Sequence, residues 1–305
     1  MKSNIKIGTR DSQLALWQAK LVQQKMGSFT TSEIVEIKSE GDIDLISPLY
    51  EMGVQGIFTK SLDIALLQKT IDVAVHSLKD VPTQLPQGLI IAAILPRANY
   101  HDWMVIKNPS IDLLAPLTIA TSSLRRKAQW LHRYPNHTFE SLRGNINKRL
   151  QKLNDNQQWS GALFAAAGIE RIGLAVPHYM ELDWMLPAPA QGAIAVVCRD
   201  DDTIAKDICV LLQDEKTAIC VQAERLFLRE LMGGCTMPIA ALATIDENNK
   251  MTFKGNILTI DGKQKAEAEM NFNANEFSEA GKKLAALVLK NGGEEILKKI
   301  KGLTI

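Results

Sequence analysis

Cationic and hydroxyl side chains recur in this sequence at the points where predicted strands end. Ligands of open α/β sheets bind outside the carboxyl ends of the strands, so residues at these points are candidates for a binding site. Guanidinium forks, hydroxyls and the free N–H groups of a helix start bind anions, and planar carboxylates suit the arginine fork well. We therefore predict a ligand with several carboxylates or phosphates. The residues concerned are Arg10, Ser12, Ser77, Lys79, Thr121, Ser122, Ser123, Arg125, Arg126, Arg143, Arg149 and Arg171.

Arg125 and Arg126 carry the strongest signal of this set. Both are expected in the first turn of a helix, where the partial positive charge of the helix end disfavours cations. Ser122 or Ser123 is a suitable N-cap for this helix, but capping does not explain why two arginines follow it. A solvated helix with arginines that reach away is the alternative interpretation for any single residue. The recurrence of cations at successive strand ends argues against that alternative for the whole set.

Asp80 and Cys235 are candidates for a different chemistry. Asp80 lies beside Lys79 in the sequence and could form a salt bridge with it. Alternatively, its carboxylate stabilises a developing cation or transfers a proton, and the two roles are compatible. Cys235 lies in the loop Gly233–Pro238, where glycines allow close approach of another group and nearby cations would favour a thiolate. The remaining cysteines are predicted to be small buried residues. They are Cys198, Cys209 and Cys220.

Length and charge limit the class of protein. The chain has 305 residues, which predicts about two domains at roughly 150 residues each. Its formal net charge is +1, from 35 Lys+Arg and 34 Asp+Glu. This balance argues against a general nucleic-acid binder, which usually carries a strongly basic domain. The sequence contains no P-loop motif and no G-x-G-x-x-G after the first strand, so neither motif indicates a nucleotide ligand. The near-balance of charge does not exclude a local basic cleft for a small ligand with several carboxylates or phosphates.

The N-terminal segment, the short apolar runs and the cysteine pattern predict a cytoplasmic protein. Met1–Arg10 contains no apolar segment of signal-peptide length. The longest apolar runs, such as Ile90–Leu95 and Ala193–Cys198, fall far short of the roughly 18 residues of a membrane span. The cysteines form no C-x-x-C pair, so we expect neither a metal site nor a disulfide framework.

The elements that must position these residues follow an alternating pattern. Over the first two-thirds of the chain, short β-rich runs such as Ile5–Thr9 alternate with helical stretches such as Asp11–Met26. This alternation indicates an α/β fold with mainly parallel sheets, and its restart near residue 97 predicts a second α/β domain. From about residue 215, a helix, three β-like runs and a closing helix over Glu276–Leu289 predict a small α+β domain.

Six groups of residues, taken together, resemble the porphobilinogen deaminase family, also called hydroxymethylbilane synthases. They occur in the family's order over nearly the whole chain, and as a set they are highly specific. They are Ile7–Arg10 with Leu14–Ala19, His76–Pro82, Thr121–Arg126, Leu142–Asn145 with Arg149, Pro187–Gly192 and Gly233–Pro238.

The resemblance implies three domains rather than two. Domains 1 and 2 look like the two α/β lobes of a type II periplasmic binding protein, and domain 3 is a small C-terminal α+β domain that carries Cys235. The implied boundaries are residues 1–95 and 191–212 for domain 1, 96–190 for domain 2 and 213–305 for domain 3. A monomer is also implied.

The resemblance further implies a transferase reaction of tetrapyrrole and haem biosynthesis. The family joins four porphobilinogen molecules head to tail, releases one ammonia for each, and then releases linear hydroxymethylbilane. The product grows on a dipyrromethane cofactor held by a thioether, and the matching cysteine is Cys235. Asp80 matches the residue that assists loss of the amine and stabilises the resulting azafulvenium cation. Each pyrrole carries an acetate and a propionate, which the cations and hydroxyls above would hold, with Gln191 and Gly192 as further pocket residues.

The sequence departs from the family pattern in a segment that the resemblance makes a lid over the site. Many relatives have basic residues where this chain has Glu40, Glu51 and Gln55, within or beside the glycine-rich stretch Gly41–Gly56. His101 also replaces a frequent arginine. The central aspartate, arginines and loop cysteine match the family.

Two other classes of protein are compatible with a two-lobed architecture. A non-catalytic binding protein is disfavoured by the lack of a secretion signal and by Cys235 in its matching loop. An effector-binding module of a transcription regulator is disfavoured because no helix-turn-helix segment precedes the first lobe.

Overall fold

The computed structural model describes residues 4–38, 59–231 and 237–302. In chain order its elements are β1 (Ile5–Thr9), α1 (Gln13–Met26), β2 (Ser32–Glu36), α2 (Lys60–Leu67), β3 (Val73–Ser77), β4 (Leu89–Ile94), β5 (Asp102–Ile106), β6 (Thr118–Ala120), α3 (Leu124–Arg133), β7 (Thr138–Glu140), α4 (Ile146–Asp155), β8 (Gly161–Ala165), α5 (Ala166–Arg171), β9 (Tyr179–Glu181), β10 (Ile194–Arg199), α6 (Thr203–Val210), α7 (Glu215–Glu230), β11 (Ile239–Ile245), β12 (Lys250–Leu258), β13 (Lys265–Asn273), α8 (Phe277–Val288) and α9 (Glu294–Gly302).

The chain forms two compact units. Of the described residues, unit 1 comprises 4–38, 59–98 and 191–218, and unit 2 comprises 99–190, 219–231 and 237–302. Within the described ranges, no helix has both the length and the apolar composition needed to cross a membrane. The division into three domains stays a prediction.

Unit 1 is built on a five-stranded sheet with the order β2-β1-β3-β10-β4. β1 pairs in parallel with β2 and β3, whereas β10 runs antiparallel to β3 and β4. One face packs against α1 and α6, where Ile7 meets Val22 in a buried cluster. The other face packs against α2, where Leu66 meets Ala74. Full burial of such aliphatic side chains stabilises the fold by about 1.5–3 kcal/mol each.

Unit 2 contains two sheets. Its five-stranded sheet has the order β7-β6-β8-β5-β9, in which β5 runs antiparallel to β8 and β9. Its three-stranded sheet, β11-β12-β13, is antiparallel throughout and shares a core with α7, α8 and α9. The predicted α/β class with a small C-terminal α+β part is therefore confirmed.

The expectation of mainly parallel sheets requires a correction. Each five-stranded sheet has two parallel and two antiparallel pairings among its described strands. In each sheet one strand runs opposite to the two strands beside it and so forms both antiparallel pairings. This strand is β10 in unit 1 and β5 in unit 2. β5 is not among the strands predicted from the sequence, because all five of its residues are buried and give no alternating pattern. The short strand β9 and the last helix, α9, are also not among the predicted elements.

Arg199 is a buried cation in unit 1 with its own internal partners. Its Nη2 atom lies 3.6 Å from Asp72 Oδ1 and pairs with Asp202. Its Nη1 atom donates hydrogen bonds to the carbonyl oxygens of Leu66 (2.9 Å) and Ile71 (2.8 Å). These contacts tie β10 to the end of α2 and the start of β3, so this cluster has a structural role.

His76 is a buried titratable residue on β3. Its Nε2 atom makes no hydrogen bond within the described part of the chain. Burial lowers the pKa of His76 to about 4, and the positive charge of Arg10 contributes to this shift. His76 is therefore neutral in the folded protein at neutral pH.

A close approach between α7 and α8 requires glycine at position 281. A Cβ atom there would lie 2.5 Å from Leu226 Cβ and 2.7 Å from the carbonyl oxygen of Ala223. Backbone cannot yield as a flexible side chain can, so any larger residue must push the two helices apart.

The first prediction concerns this helix contact. Alanine in a helix interior normally stabilises relative to glycine by about 0.5–1 kcal/mol. For Gly281→Ala we expect the opposite sign, a decrease of about 1–3 kcal/mol in the free energy of unfolding measured in urea, because of overpacking. Gly302→Ala, at a site with no atom within 4 Å of the added Cβ, is the control and should leave that free energy almost unchanged. Equal stability of the two variants would contradict the packing argument.

The second prediction concerns His76 and pH. The unfolded histidine takes up its proton near pH 6.5 and the folded one only near pH 4, so the unfolded state binds more protons between these values. Stability is fully present above about pH 6.5 and falls by about 3 kcal/mol as the pH approaches 4. Urea unfolding of His76→Gln at pH 7 and pH 4.5 should show a smaller change than the wild type. His178→Gln, at an exposed histidine, should behave like the wild type, and an unchanged pH response in His76→Gln would refute the assignment.

Candidate active site

The predicted site residues of unit 1 lie at the carboxyl edge of its sheet. Arg10 follows β1, and Lys79 and Asp80 follow β3. The reversed strand β10 begins at this same edge, because Ile194 pairs with Ser77. The residues that precede β10 are therefore brought to the end of β3, although they are more than a hundred positions away in sequence.

A short 3₁₀ turn over Leu78–Asp80 presents two charged residues at this edge. Leu78 is fully buried, and its N–H donates to the carbonyl oxygen of Ala193 at 3.0 Å. Lys79 and Asp80 are half-buried. In the described residues, the Asp80 carboxylate has neither a hydrogen-bond donor nor an ion-pair partner. The structure thus gives no support to a salt bridge between Asp80 and Lys79, and it leaves the carboxylate available for a ligand.

The serine hydroxyls of unit 1 also hold the local backbone in place. Ser12 caps α1 by accepting a hydrogen bond from Ala15 N at 3.3 Å. Ser77 Oγ accepts one from Gln18 Nε2 at 2.8 Å. The Ser77 hydroxyl also donates a hydrogen bond to Gln18 Oε1 at 3.3 Å. A hydroxyl has one donor and two acceptor positions, so the Ser12 donor is not used by this cap, whereas the Ser77 donor already has a partner.

Gln191 and Gly192 form a bend ahead of β10. The carbonyl oxygen of Gln191 accepts a hydrogen bond from Arg97 Nε at 2.9 Å, and that of Gly192 accepts one from Ala98 N at 3.0 Å. Gly192 has a φ of 88°, a conformation that favours glycine. The bend is needed to turn the chain into β10.

In unit 2 the predicted hydroxyl residues form the turn between β6 and α3. Thr121 Oγ1 accepts a hydrogen bond from Ser123 N at 3.2 Å. Ser123 caps α3 and accepts from Arg126 N at 3.4 Å, so the predicted cap is confirmed. Ser122 Oγ accepts from Leu142 N at 2.9 Å, which joins this turn to the residues after β7.

Arg125 and Arg126 surround a fully buried carboxylate, that of Asp102. Arg125 Nη1 lies 2.7 Å from Asp102 Oδ2, and Arg126 Nε and Nη2 lie 3.0 and 2.8 Å from Asp102 Oδ1. Arg126 Nη1 donates to the carbonyl oxygen of Leu163 at 3.0 Å, and Arg125 Nη1 donates to that of Leu186 at 2.6 Å. The negative charge of Asp102 explains in part why two arginines occur in the first turn of this helix, where cations are otherwise unfavourable.

Asp102 is not among the site residues predicted from the sequence. The available signal was a charged residue directly before the apolar run Trp103–Ile106, where a buried strand begins. A charge at such a position needs a partner, and two unexplained arginines were present. Its neighbour His101 lies beside Tyr100, with ring centroids 4.5 Å apart.

The other predicted cations of unit 2 lie on or beside its helices. Arg143 is buried ahead of α4, and Arg149 within α4 has its Cζ atom 5.2 Å from the centroid of the Phe164 ring. Arg171 ends α5, and burial lowers its pKa to about 10 although Glu170 opposes the shift. Arg171 therefore remains a cation at neutral pH.

Several predicted features lie outside the described residues. These are Cys235, the stretch Gly41–Gly56 and the departures Glu40, Glu51 and Gln55. The remaining cysteines are buried, as predicted: Cys198, Cys209 and Cys220.

Two family models match the chain. One, described as "Porphobilinogen deaminase, dipyromethane cofactor binding domain", matches residues 5–207. The other, described as "Porphobilinogen deaminase, C-terminal domain", matches residues 218–290. The matches follow each other in order and together cover most of the chain.

Curated relatives match over nearly their full lengths. Porphobilinogen deaminase of Desulforamulus reducens is 40% identical over 308 residues, which covers 99% of each chain. That of Staphylococcus carnosus is 38% identical and covers 95% of this chain and 96% of the relative. A probable porphobilinogen deaminase of Methanocaldococcus jannaschii is 42% identical and covers 94% and 100%.

Solved structures match over part of the chain. The BvgS periplasmic VFT2 domain of Bordetella pertussis gives a TM-score of 0.40 at 14% identity, covering 69% of this chain and 86% of that one. A YaeC family lipoprotein of Enterococcus faecalis gives 0.41 at 14% identity, covering 71% and 94%. Full-length identity of about 40% to curated relatives, together with both family models, shows that the chain belongs to the porphobilinogen deaminase family.

Proposed function

We propose that this protein is a hydroxymethylbilane synthase. It joins four porphobilinogen molecules head to tail on a covalently held dipyrromethane primer, releases one ammonia for each, and then releases linear hydroxymethylbilane. The observation that carries this proposal is the Asp80 carboxylate, which has no internal partner among the described residues and lies at the same sheet edge as Arg10 and Lys79. A free carboxylate among cations suits a substrate that is anionic at its side chains and becomes cationic at its reacting carbon.

The chemistry of the donor set fits a dipyrromethane cofactor. Two pyrroles, each with an acetate and a propionate, carry four carboxylates, for which guanidinium forks are the best partners. When bound, dipyrromethane supplies a nucleophilic pyrrole carbon. The residues that would hold cofactor and substrate carboxylates are Arg10, Ser12, Ser77 and Lys79 in unit 1 and Thr121, Ser122, Ser123, Arg125, Arg126, Arg143, Arg149 and Arg171 in unit 2.

Asp80 has the catalytic role in this proposal. Porphobilinogen loses its amine as ammonia, and the electron pair of the pyrrole ring drives this loss, so positive charge develops on the ring and its methylene. The carboxylate of Asp80 stabilises that charge and accepts hydrogen bonds from the pyrrole N–H. Its position on a short turn held by the buried Leu78 fixes the carboxylate relative to β3.

Cys235 holds the cofactor through a thioether. This assignment rests on the match of Gly233–Pro238 to the family pattern, since the loop lies outside the described residues. Cys198 and Cys209 are poor candidates, because burial raises the pKa of Cys198 to about 11 and that of Cys209 to about 12. Both remain thiols at neutral pH, and a thiol is a far weaker nucleophile than a thiolate.

The proposal includes a three-domain monomer that acts in the cytoplasm. Domain 1 comprises residues 1–95 and 191–212, domain 2 residues 96–190 and domain 3 residues 213–305. The gap between the two family matches, at residues 207 and 218, supports the boundary of domain 3. Gln191 and Gly192, in the bend ahead of β10, are further pocket residues.

The third prediction is a mass difference. Intact protein, denatured and measured by mass spectrometry, should be heavier than its sequence mass of 33.7 kDa by one dipyrromethane. Cys235→Ala should have the sequence mass alone and no activity. Active protein with an unmodified Cys235 would contradict covalent attachment.

The fourth prediction concerns Asp80→Asn. The amide keeps the shape of the side chain but cannot stabilise a developing cation, so turnover should fall by about 10²–10⁴-fold. The added cofactor mass should persist, because its attachment is at Cys235. Asp207→Asn, at an exposed aspartate on α6, is the matched control and should keep full turnover. Formation of hydroxymethylbilane by Asp80→Asn at the wild-type rate would refute the role of Asp80.

A further inference from the structure

Asp102 shares one carboxylate between two buried guanidinium groups. All three side chains are at most 7% exposed, and Asp102 itself is fully buried. The carboxylate uses one oxygen for each arginine, Oδ2 for Arg125 at 2.7 Å and Oδ1 for Arg126 at 2.8 Å. Its geometry therefore sets the distance and the orientation between the two guanidinium groups.

The reversed direction of β5 puts Asp102 at the carboxyl edge of the sheet in unit 2. Asp102 is the first residue of β5 and pairs with Ala165, the last residue of β8. A parallel strand in the same place would begin at the opposite edge. Asp102 consequently lies where β8 ends and where α3 begins after β6, among the residues of unit 2 predicted to hold carboxylates.

The cluster keeps a surplus of positive charge. Two guanidinium groups and one carboxylate have a formal charge of +1, at a helix start that is itself partly positive. Burial lowers the pKa of Arg125, and Asp102 opposes that shift. By contrast, Arg199 in unit 1 is one cation with three aspartates within 4 Å, so its charge is fully matched inside the protein.

The two arginines differ in the donors that remain. All three nitrogens of Arg126 contact Asp102 or the carbonyl oxygen of Leu163. Arg125 Nη1 lies 2.7 Å from Asp102 Oδ2 and donates to the carbonyl oxygen of Leu186. In the described structure, Nε and Nη2 of Arg125 donate no hydrogen bond. These two nitrogens form the edge of a guanidinium fork that binds a carboxylate in a bidentate manner.

We propose that Asp102 is a positioning residue, which holds the Arg125 and Arg126 guanidinium groups so that Nε and Nη2 of Arg125 receive a carboxylate of the pyrrole chain. Asp102 does not touch that ligand and acts through the arginines. The proposal rests on the proposed function, because it takes the anionic ligand to be a substrate or cofactor carboxylate.

The test compares Asp102→Asn with Asp72→Asn. Each change removes the charge of one buried aspartate paired with a buried arginine while it keeps the shape of the side chain. In Asp102→Asn, an amide NH2 group replaces one carboxylate oxygen and cannot pair with a guanidinium group, so one of the two guanidinium groups must turn. Three quantities are measured for both variants: the thermal unfolding midpoint, the fraction of chains with the added cofactor mass, and KM and kcat for porphobilinogen.

Both variants should have lower unfolding midpoints than the wild type. Only Asp102→Asn should also show a rise in KM of about tenfold or more and a smaller fraction of chains with cofactor. The reason is that the misplaced guanidinium group of Arg125 loses a hydrogen bond to a ligand carboxylate. Asp102→Glu, which keeps the charge but moves it by one methylene, should give a KM between those of the wild type and Asp102→Asn. Wild-type KM and full cofactor content in Asp102→Asn would overturn the proposal.

If Asp102→Asn does not fold, Asp102→Glu decides, and a wild-type KM with full cofactor content in that variant overturns the proposal. Failure of the proposed function has a different signature, since the wild-type protein would then form no hydroxymethylbilane. A wild-type protein that forms product beside an Asp102→Asn variant with unchanged KM refutes the role of Asp102 alone.

Discussion

The reversed strand in each five-stranded sheet is the constraint on which the placement of the candidate site depends. β10 and β5 run against the strands beside them, so each begins at the edge where those strands end. This reversal brings Gly192 close to the turn that carries Asp80, and it brings Asp102 to the start of α3. Sheets of parallel strands alone would put both segments at the opposite edge, away from the predicted ligand-binding residues.

Two aspartates at these edges have contrasting environments, and their environments assign their roles. Asp102 is fully buried between two guanidinium groups, where removal of either partner would leave an unbalanced charge in a dry interior. Asp80 is half-buried on a short turn and has no partner among the described residues. A carboxylate that is already neutralised serves to orient its partners, whereas one that is not can stabilise a charge that develops in a substrate.

The balance of charge within each cluster separates structural cations from ligand-binding ones. Arg199 has three aspartates around it and donates two hydrogen bonds to backbone carbonyls. Among the described residues, Arg125 and Arg126 share the carboxylate of Asp102, and these three groups have a formal charge of +1. A net charge of +1 over the whole chain therefore conceals local sites of opposite character, and a small polycarboxylate fits the one with excess positive charge.

The sequence by itself determined the α/β class, a helix cap at Ser122 or Ser123, the burial of three cysteines and the cations at the strand ends. These features follow from local patterns, since apolar periodicity, capping residues and residue type are all set over a few positions. Only the tertiary structure showed that Asp102 joins Arg125 and Arg126, and that the Asp80 carboxylate has no partner among the described residues. The physical reason is that an antiparallel strand with two buried faces has no alternating pattern, so neither β5 nor the edge at which it begins can be predicted locally.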